Sequence, residues 1–192
     1  FWAVLGGTAM GLVFGVLRAA APWWINAPIG AVLDVFRWIP LLIQFILANS
    51  FKSIIGLDMS AFMVACVVLA LYPSAYCTEI VRAGVLAVPS TTRRPARSLG
   101  MTWSQDLRYI VYPIALRVSL PSWVGLALGV MKDTALVLWI GIVELLRASQ
   151  VIVTRIQEPL LVLMLCGLIY FLMSYPISRL GAYLESRWRD DD

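Results

Sequence analysis

Apolar runs of membrane-spanning length, separated by short polar stretches, fill this chain. Residues 1 to 19 are apolar, and Gly7, Gly11 and Gly15 fall at four-residue spacing on one helical face. That stripe reads either as close helix packing or as a flexible glycine-rich span. Arg18 and the run AAAPWWINAP mark the exit, where Pro22 and Pro28 are expected to break the helix and Trp23 and Trp24 suit a membrane interface. A second span is expected from Ile29 to Asn49. Its opening, GAVLDVFRW, sets Asp34 and Arg37 three apart on one interfacial helix face, and PLLIQFIL enters the bilayer behind it. Lys52 and Asp58 lie in the connection that follows. A third span runs from about Ala61 to Val88, broken at Pro73, with Tyr76, Thr78, Glu79 and Arg82 towards its end. At 1.5 Å per residue it is about 40 Å long, so Arg82 can emerge from the hydrocarbon.

Residues 110 to 131 form a fourth apolar segment containing Pro113, Pro121, Gly125 and Gly129. The following MKDTALVLWIGIVELL places Lys132 and Asp133 before a run too short to span lipid and then Glu144, the pattern of a re-entrant or broken helix shielded by protein. Residues 147 to 158 read as a polar loop. Pro159 to about Tyr183 make the last span, ending in Arg179, Arg187, Arg189 and three aspartates. The count is five spans. The chain opens at Phe1 inside an apolar segment without a basic leader, so its true N-terminus is expected to lie upstream.

Composition agrees: 61% of residues are hydrophobic and 14% charged, against roughly 25% charged in a soluble domain. A net charge of +4 would point to nucleic acid in a soluble protein, but here the basic residues gather between spans, as topology requires. Cys66, Cys77 and Cys166 stand alone in apolar stretches, with no histidine to complete a metal set, and read as small buried hydrophobes. The chain lacks a Walker-type GxxxxGK[ST] and a Ser or Cys beside a base, so no catalytic constellation is expected.

The densest charge lies from Arg93 to Pro113, RRPARSLGMTWSQDLRYIVYP, where Arg93, Arg94, Arg97 and Arg108 face one acid, Asp106. The positive-inside rule puts this island on the cytoplasmic side, with Arg18 and the C-terminus. The segments at 52 to 58 and 147 to 158 then face outward, although Arg147 and Arg155 outnumber their one acid. Thr92 can cap a short helix with Pro95 in its first turn, Gly100 allows a turn, and Thr102 with Gln105 makes a capping box for a second helix from Trp103. Two short helices would make a knob for a partner's groove, and Arg93, Arg94 and Arg97 would favour an acidic one.

Arg94-Pro95-Ala96, three residues, Gly100, nine residues, Ile110, one residue, Tyr112-Pro113 resembles the cytoplasmic loop of ABC-importer permeases, Glu-Ala-Ala, three residues, Gly, nine residues, Ile, one residue, Leu-Pro. The chain departs from that pattern at Arg94, Pro95 and Tyr112. FRWIPLLIQ at 36 to 44, YPSAYCTEIVRAG at 72 to 84 and KDTALVLWIGIVEL at 132 to 145 are similar to segments of the polar amino-acid uptake branch.

The resemblance implies an all-α membrane protein with about five transmembrane helices, a cytoplasmic coupling helix pair and a re-entrant or broken helix. Residues 1–192 would be one permease domain with its coupling loop at about 90–108, in a bacterial inner membrane. Arg93, Arg94, Pro95, Ala96, Arg97, Ser98, Leu99 and Gly100 would couple to an ATP-binding subunit pair, which would hold the ATP and Mg; no cofactor is expected in this chain. A second permease subunit, in a heterodimer rather than a homodimer given the divergent loop, and an extracytoplasmic amino-acid-binding protein would complete the assembly. Lys132, Asp133, Thr134, Glu144, Tyr76 and Gln44 are the candidate substrate pathway, the ionisable ones among them being alternatively a structural pair. Arg37, Glu79 and Arg82 are a gate or a structural pair. The alternative is a self-contained secondary transporter or channel subunit, which would call for inverted repeats and a charged relay; no repeat is evident.

Overall fold

Prolines and capping side chains decide where this chain bends. The computed structural model describes residues 2–190, with side chains as far as Trp188; Phe1, Asp191 and Asp192, and the side chains of Arg189 and Asp190, lie outside the described residues. α1 (Trp2–Ala20) gives way at Pro22 to α2 (Trp23–Trp38). Pro40 holds Ile39 extended (φ −81°, ψ 125°), which stops α2, and α3 (Leu41–Ile54) leaves at a bend of 100°. α4 (Ala61–Leu86) opens on Ser60, whose hydroxyl accepts from the Met63 N–H at 3.2 Å. α5 (Ser90–Ser98) ends at Leu99 and Gly100, the latter at φ +88°, where L side chains are strained. α6 (Trp103–Asp106) starts on the expected capping box of Thr102 and Gln105.

From there a single helical rod runs from Trp103 to Ile140. A π-helical turn at Leu107–Val111 leads into α7 (Tyr112–Asp133), widening the helix just where Pro113 lacks an N–H to donate. A 3₁₀ turn over Thr134–Ile140 tightens it again and ends at Gly141, φ +86°. α8 (Leu145–Ile156) and α9 (Pro159–Asp190) complete the chain.

α4 is the spine: α1 lies along it, α7 packs on another side, and α9 joins through α7. Gly7, Gly11 and Gly15 are buried, and a Cβ at Gly11 would lie 2.5 Å from that of Cys77, one at Gly15 2.6 Å from that of Val81. Close packing is thus the reading of the glycine stripe that holds. Leu41, Phe45, Val64, Val68, Leu69, Val130 and Val137 form the core where α3, α4, α7 and the 3₁₀ turn meet. Trp2–Ala20, Ala61–Leu86, Trp103–Ile140 and Pro159–Trp188 are long and apolar enough to cross a membrane, and the α2/α3 pair is so only when its two helices are taken together, which gives four crossings, or five where the bent pair counts as one.

Several expectations are corrected. Pro28 and Pro73 sit inside α2 and α4 without breaking them; the Pro73 ring fills the notch at Gly7, where a Cβ would lie 2.9 Å from its Cγ. Pro95 is the sixth residue of α5 rather than in its first turn, and the N-cap is Pro89, not Thr92. The helix from Trp103 is no separate short helix but the foot of the long rod. Most of the expected loop at 147–158 is α8, which begins where Glu144 accepts from the N–H groups of Leu146 (2.9 Å) and Arg147 (2.8 Å). Cys66 is exposed, on the face of α4 opposite buried Val64 and Val68; Cys77 and Cys166 are buried as expected.

Candidate functional site

The charged island folds into a knob clamped from within. Asp106 is fully buried, and Arg93 donates to it from Nε (3.1 Å) and Nη2 (2.8 Å), Arg97 from Nε (3.4 Å). Arg93 is therefore turned inward, while Arg97, its side chain 52% exposed, reaches the carboxylate from the edge. Arg94 makes no side-chain hydrogen bond or ion pair among the described residues and is exposed, as are Pro95, Ser98 and Gly100; Leu99 is 86% exposed at the tip, and Ala96 is buried beneath. A rod of 38 residues is about 57 Å long, nearly twice a hydrocarbon core, so its foot with Asp106 stands outside the membrane. There the Arg93 hydrogen bond, reinforced by the charges of Arg93 and Arg97, holds the Asp106 carboxyl below the usual carboxylate range despite its burial.

At the same end of the bundle lies an ion cluster between α1, α2 and α4. Glu79 pairs with Arg82 at 3.6 Å, three residues on, as the spacing predicts. Its shorter contact, not foreseen, is with Arg18, 61 positions away. Arg18 Nε also donates to Asn26 Oδ1 at 2.8 Å, and its guanidinium occupies the space at Gly30, where a Cβ would lie 2.6 Å from it. Arg37 pairs with Asp34 at 3.0 Å, and its guanidinium lies over the Tyr76 ring, 5.6 Å from the centroid.

Two helix breaks flank α4 deeper in the bundle. At the first, the Gln44 amide donates to the Phe36 (2.7 Å) and Ile39 (2.8 Å) carbonyls, satisfying the frayed end of α2. At the second, Lys132 and Asp133 end α7, the Thr134 hydroxyl donates to the Met131 carbonyl at 2.7 Å, and Glu144 caps α8 while accepting from the Tyr170 hydroxyl at 3.1 Å. Tyr72 and Tyr76 on α4 bridge the two. The Tyr76 hydroxyl donates to the Arg37 carbonyl (3.1 Å) and lies 3.5 Å from that of Tyr72, which is in electrostatic reach of Asp133. The Asp133 side chain has no hydrogen bond or ion pair among the described residues, and the alternative pair of Lys132 with an acid does not form among them.

The structure thus joins Tyr76 to Arg37, and Glu79 to Arg82, while the knob stands apart from the Asp133 break at the far end of one rod. Tyr72, Arg18 and the Asp106 clamp were missed. Asp106 carried a signal, being the one acid among the island's arginines; Arg18 and Glu79 are linked by no local spacing.

A polytopic helical bundle with a broken pair of helices, a basic knob and a partly unpaired polar track defines a membrane transport subunit. The family profile of the binding-protein-dependent transport system inner membrane component matches residues 7–190, and the chain belongs to that family. It is a transporter permease subunit of the ABC importer type, not an enzyme. It is 30% identical over 192 residues to the octopine transport system permease protein OccM of Rhizobium meliloti, covering 95% of this chain and 78% of that one. It is 29% identical over 189 residues to the glutamine transport system permease protein GlnP of Escherichia coli K12, covering 96% and 85%. A crystal structure of an amino acid ABC transporter with histidines superposes with a TM-score of 0.87 at 32% identity, over 97% of this chain and 87% of that chain. The alternative of a self-contained carrier or channel is set aside.

Proposed function

We propose that this chain carries a polar amino acid across a bacterial inner membrane, and that Asp133 receives the substrate's ammonium group where α7 tightens into the 3₁₀ turn. The supporting observation is a half-buried carboxylate at the change from α- to 3₁₀-helix, whose side chain makes no hydrogen bond or ion pair among the described residues and lies in electrostatic reach of Tyr72, where an unpaired charge in a membrane domain is costly unless a ligand or water meets it. Tyr76, Thr134 and Lys132 border this path; Gln44 and Glu144 shape it through the helix ends they hold. The amino-acid cargo is supported by the glutamine system of one relative and the amino acid transporter of the structural match.

The knob from Ser90 to Asp106 carries the coupling surface for an ATP-binding subunit pair that holds the ATP and Mg and performs hydrolysis, with its tip at Ser98, Leu99 and Gly100 as the outward contact. Arg37, Glu79, Arg82 and Arg18 lock the helices above it. A second permease of different sequence, because Arg94 replaces the acid usual in such loops, and an extracytoplasmic binding protein complete the assembly.

Uptake of radiolabelled glutamine, glutamate, histidine and arginine into proteoliposomes holding the complete complex tests this. Asp133→Asn is expected to lower uptake roughly tenfold or more, as loss of a charge-assisted hydrogen bond of about 1.5–3 kcal/mol requires, without loss of assembly. Unchanged uptake removes Asp133 from the path, and uptake driven by an ion gradient without ATP removes the coupling reading.

A further inference from the structure

A cavity of about 380 Å³ opens beside the knob, lined by Ser90, Arg93, Arg94, Arg97 and Trp103 and roofed by Ala20 and Val88. Its place is set by the two roof residues. Ala20 is the last residue of α1, and Val88 lies two past the end of α4, so the cavity sits where two membrane helices leave the hydrocarbon. The coupling tip, Leu99 and Gly100, does not line it.

Its charge is one-sided. Three guanidinium groups meet one carboxylate, Asp106, which is fully buried and engaged by Arg93 and Arg97, leaving two net positive charges. The clamp also fixes Arg93 and Arg97 in place before any ligand arrives, and Arg94 has no partner of its own among the described residues. Ser90 begins the nine-residue α5, so its hydroxyl and the positive end of that helix are at the same opening. Trp103, 51% exposed, presents an indole of the kind that sits at headgroup level.

We propose that this cavity binds the phosphate headgroup of an anionic phospholipid of the cytoplasmic leaflet. Guanidinium forks match phosphate oxygens, and the attachment of the cavity to the membrane ends of α1 and α4 favours a lipid over a ligand from the cytosol. The bound lipid would tether the knob to the bilayer surface on the side away from its tip. The inference rests on the cytoplasmic placement of the knob, and not on the identity of the cargo.

The test titrates phosphatidylglycerol into the complete complex held in phosphatidylcholine nanodiscs, reading the fluorescence difference between wild type and Trp103→Phe. A saturable change is expected with phosphatidylglycerol and none with added phosphatidylcholine. Arg94→Glu is expected to shift the midpoint about 25-fold and Arg94→Gln about fivefold, at about fivefold per unit of charge near the surface; the milder variant is read if the reversal fails to assemble. Equal responses to both lipids, or midpoints untouched by either variant, overturn the proposal. So does saturation by inorganic phosphate alone in phosphatidylcholine, which would make this a site for a soluble anion.

Discussion

Asp106 illustrates what one buried carboxylate does here. Arg93 and Arg97 hold it ionised, so its pKa lies below the roughly 3.9 of an unfolded aspartate. A depressed value means the contribution is present at neutral pH and is lost as pH falls from the ordinary carboxylate range through the folded value. Amide protection across residues 90–106, corrected for the intrinsic pH dependence of exchange, is expected to fall over that acid window in wild type. In Asp106→Asn protection should be low already at neutral pH, and identical protection profiles would remove the clamp from the knob's stability. At Gly100 the backbone sits at φ +88° with open space around it, so the obstacle to a side chain is conformation and not crowding. Gly100→Asp is expected to strain the turn by about 1–3 kcal/mol and to abolish ATP-coupled uptake while membrane insertion persists; wild-type uptake would count against coupling through this turn. The Gly100 turn was legible beforehand, because the glycine of a turn is a local signal; Asp106 stood out as the one acid of the basic island, but its burial between Arg93 and Arg97 depends on how α5 folds against the rod. Arg18 was legible only as an exit marker. Its contact with Glu79 depends on how α1 lies along α4, which no spacing within either helix encodes.

Among the elements, the bend between α2 and α3 rests on two residues with distinct tasks: Pro40 ends the helix, and Gln44 reaches back to cover the carbonyls that ending exposes. Gln44→Leu keeps the volume but leaves two carbonyls unmet, at a cost of about 1–3 kcal/mol for each that stays dry. The complex is expected to lose thermal stability while its ATP-binding subunits remain attached; an unchanged melting midpoint would show that water covers those carbonyls. The prolines show why element ends were harder to read than element existence. Pro28, Pro73 and Pro95 have the same local chemistry as Pro40, yet all three stay within helices. Pro73 does so because Gly7 leaves room for its ring, a tertiary fact. α8 was masked by its polar residues: Arg147, Gln150 and Arg155 read as loop until the Glu144 cap and the buried Ser149 reveal a surface helix with one inner face.

For the molecule as a whole, class and approximate span count were legible because a bilayer demands apolar runs of about 20 residues, whatever their packing. What the sequence hid is that residues 103 to 140 are one continuous rod. The knob foot at Asp106 and Asp133, towards the rod's other end, thus belong to a single part. Ala127→Gly would soften that rod between Gly125 and Gly129 by about 1 kcal/mol, whereas Gly125→Ala, with nothing within 4 Å of the added carbon, would stiffen it. Amino acid moved per ATP hydrolysed is expected to fall in the first and hold in the second. Equal ratios would mean that motion travels by another route. A crank that keeps its shape as it turns moves its head whenever its foot moves. Slippage between fuel and cargo would then arise where the crank is gripped, at the joint between subunits.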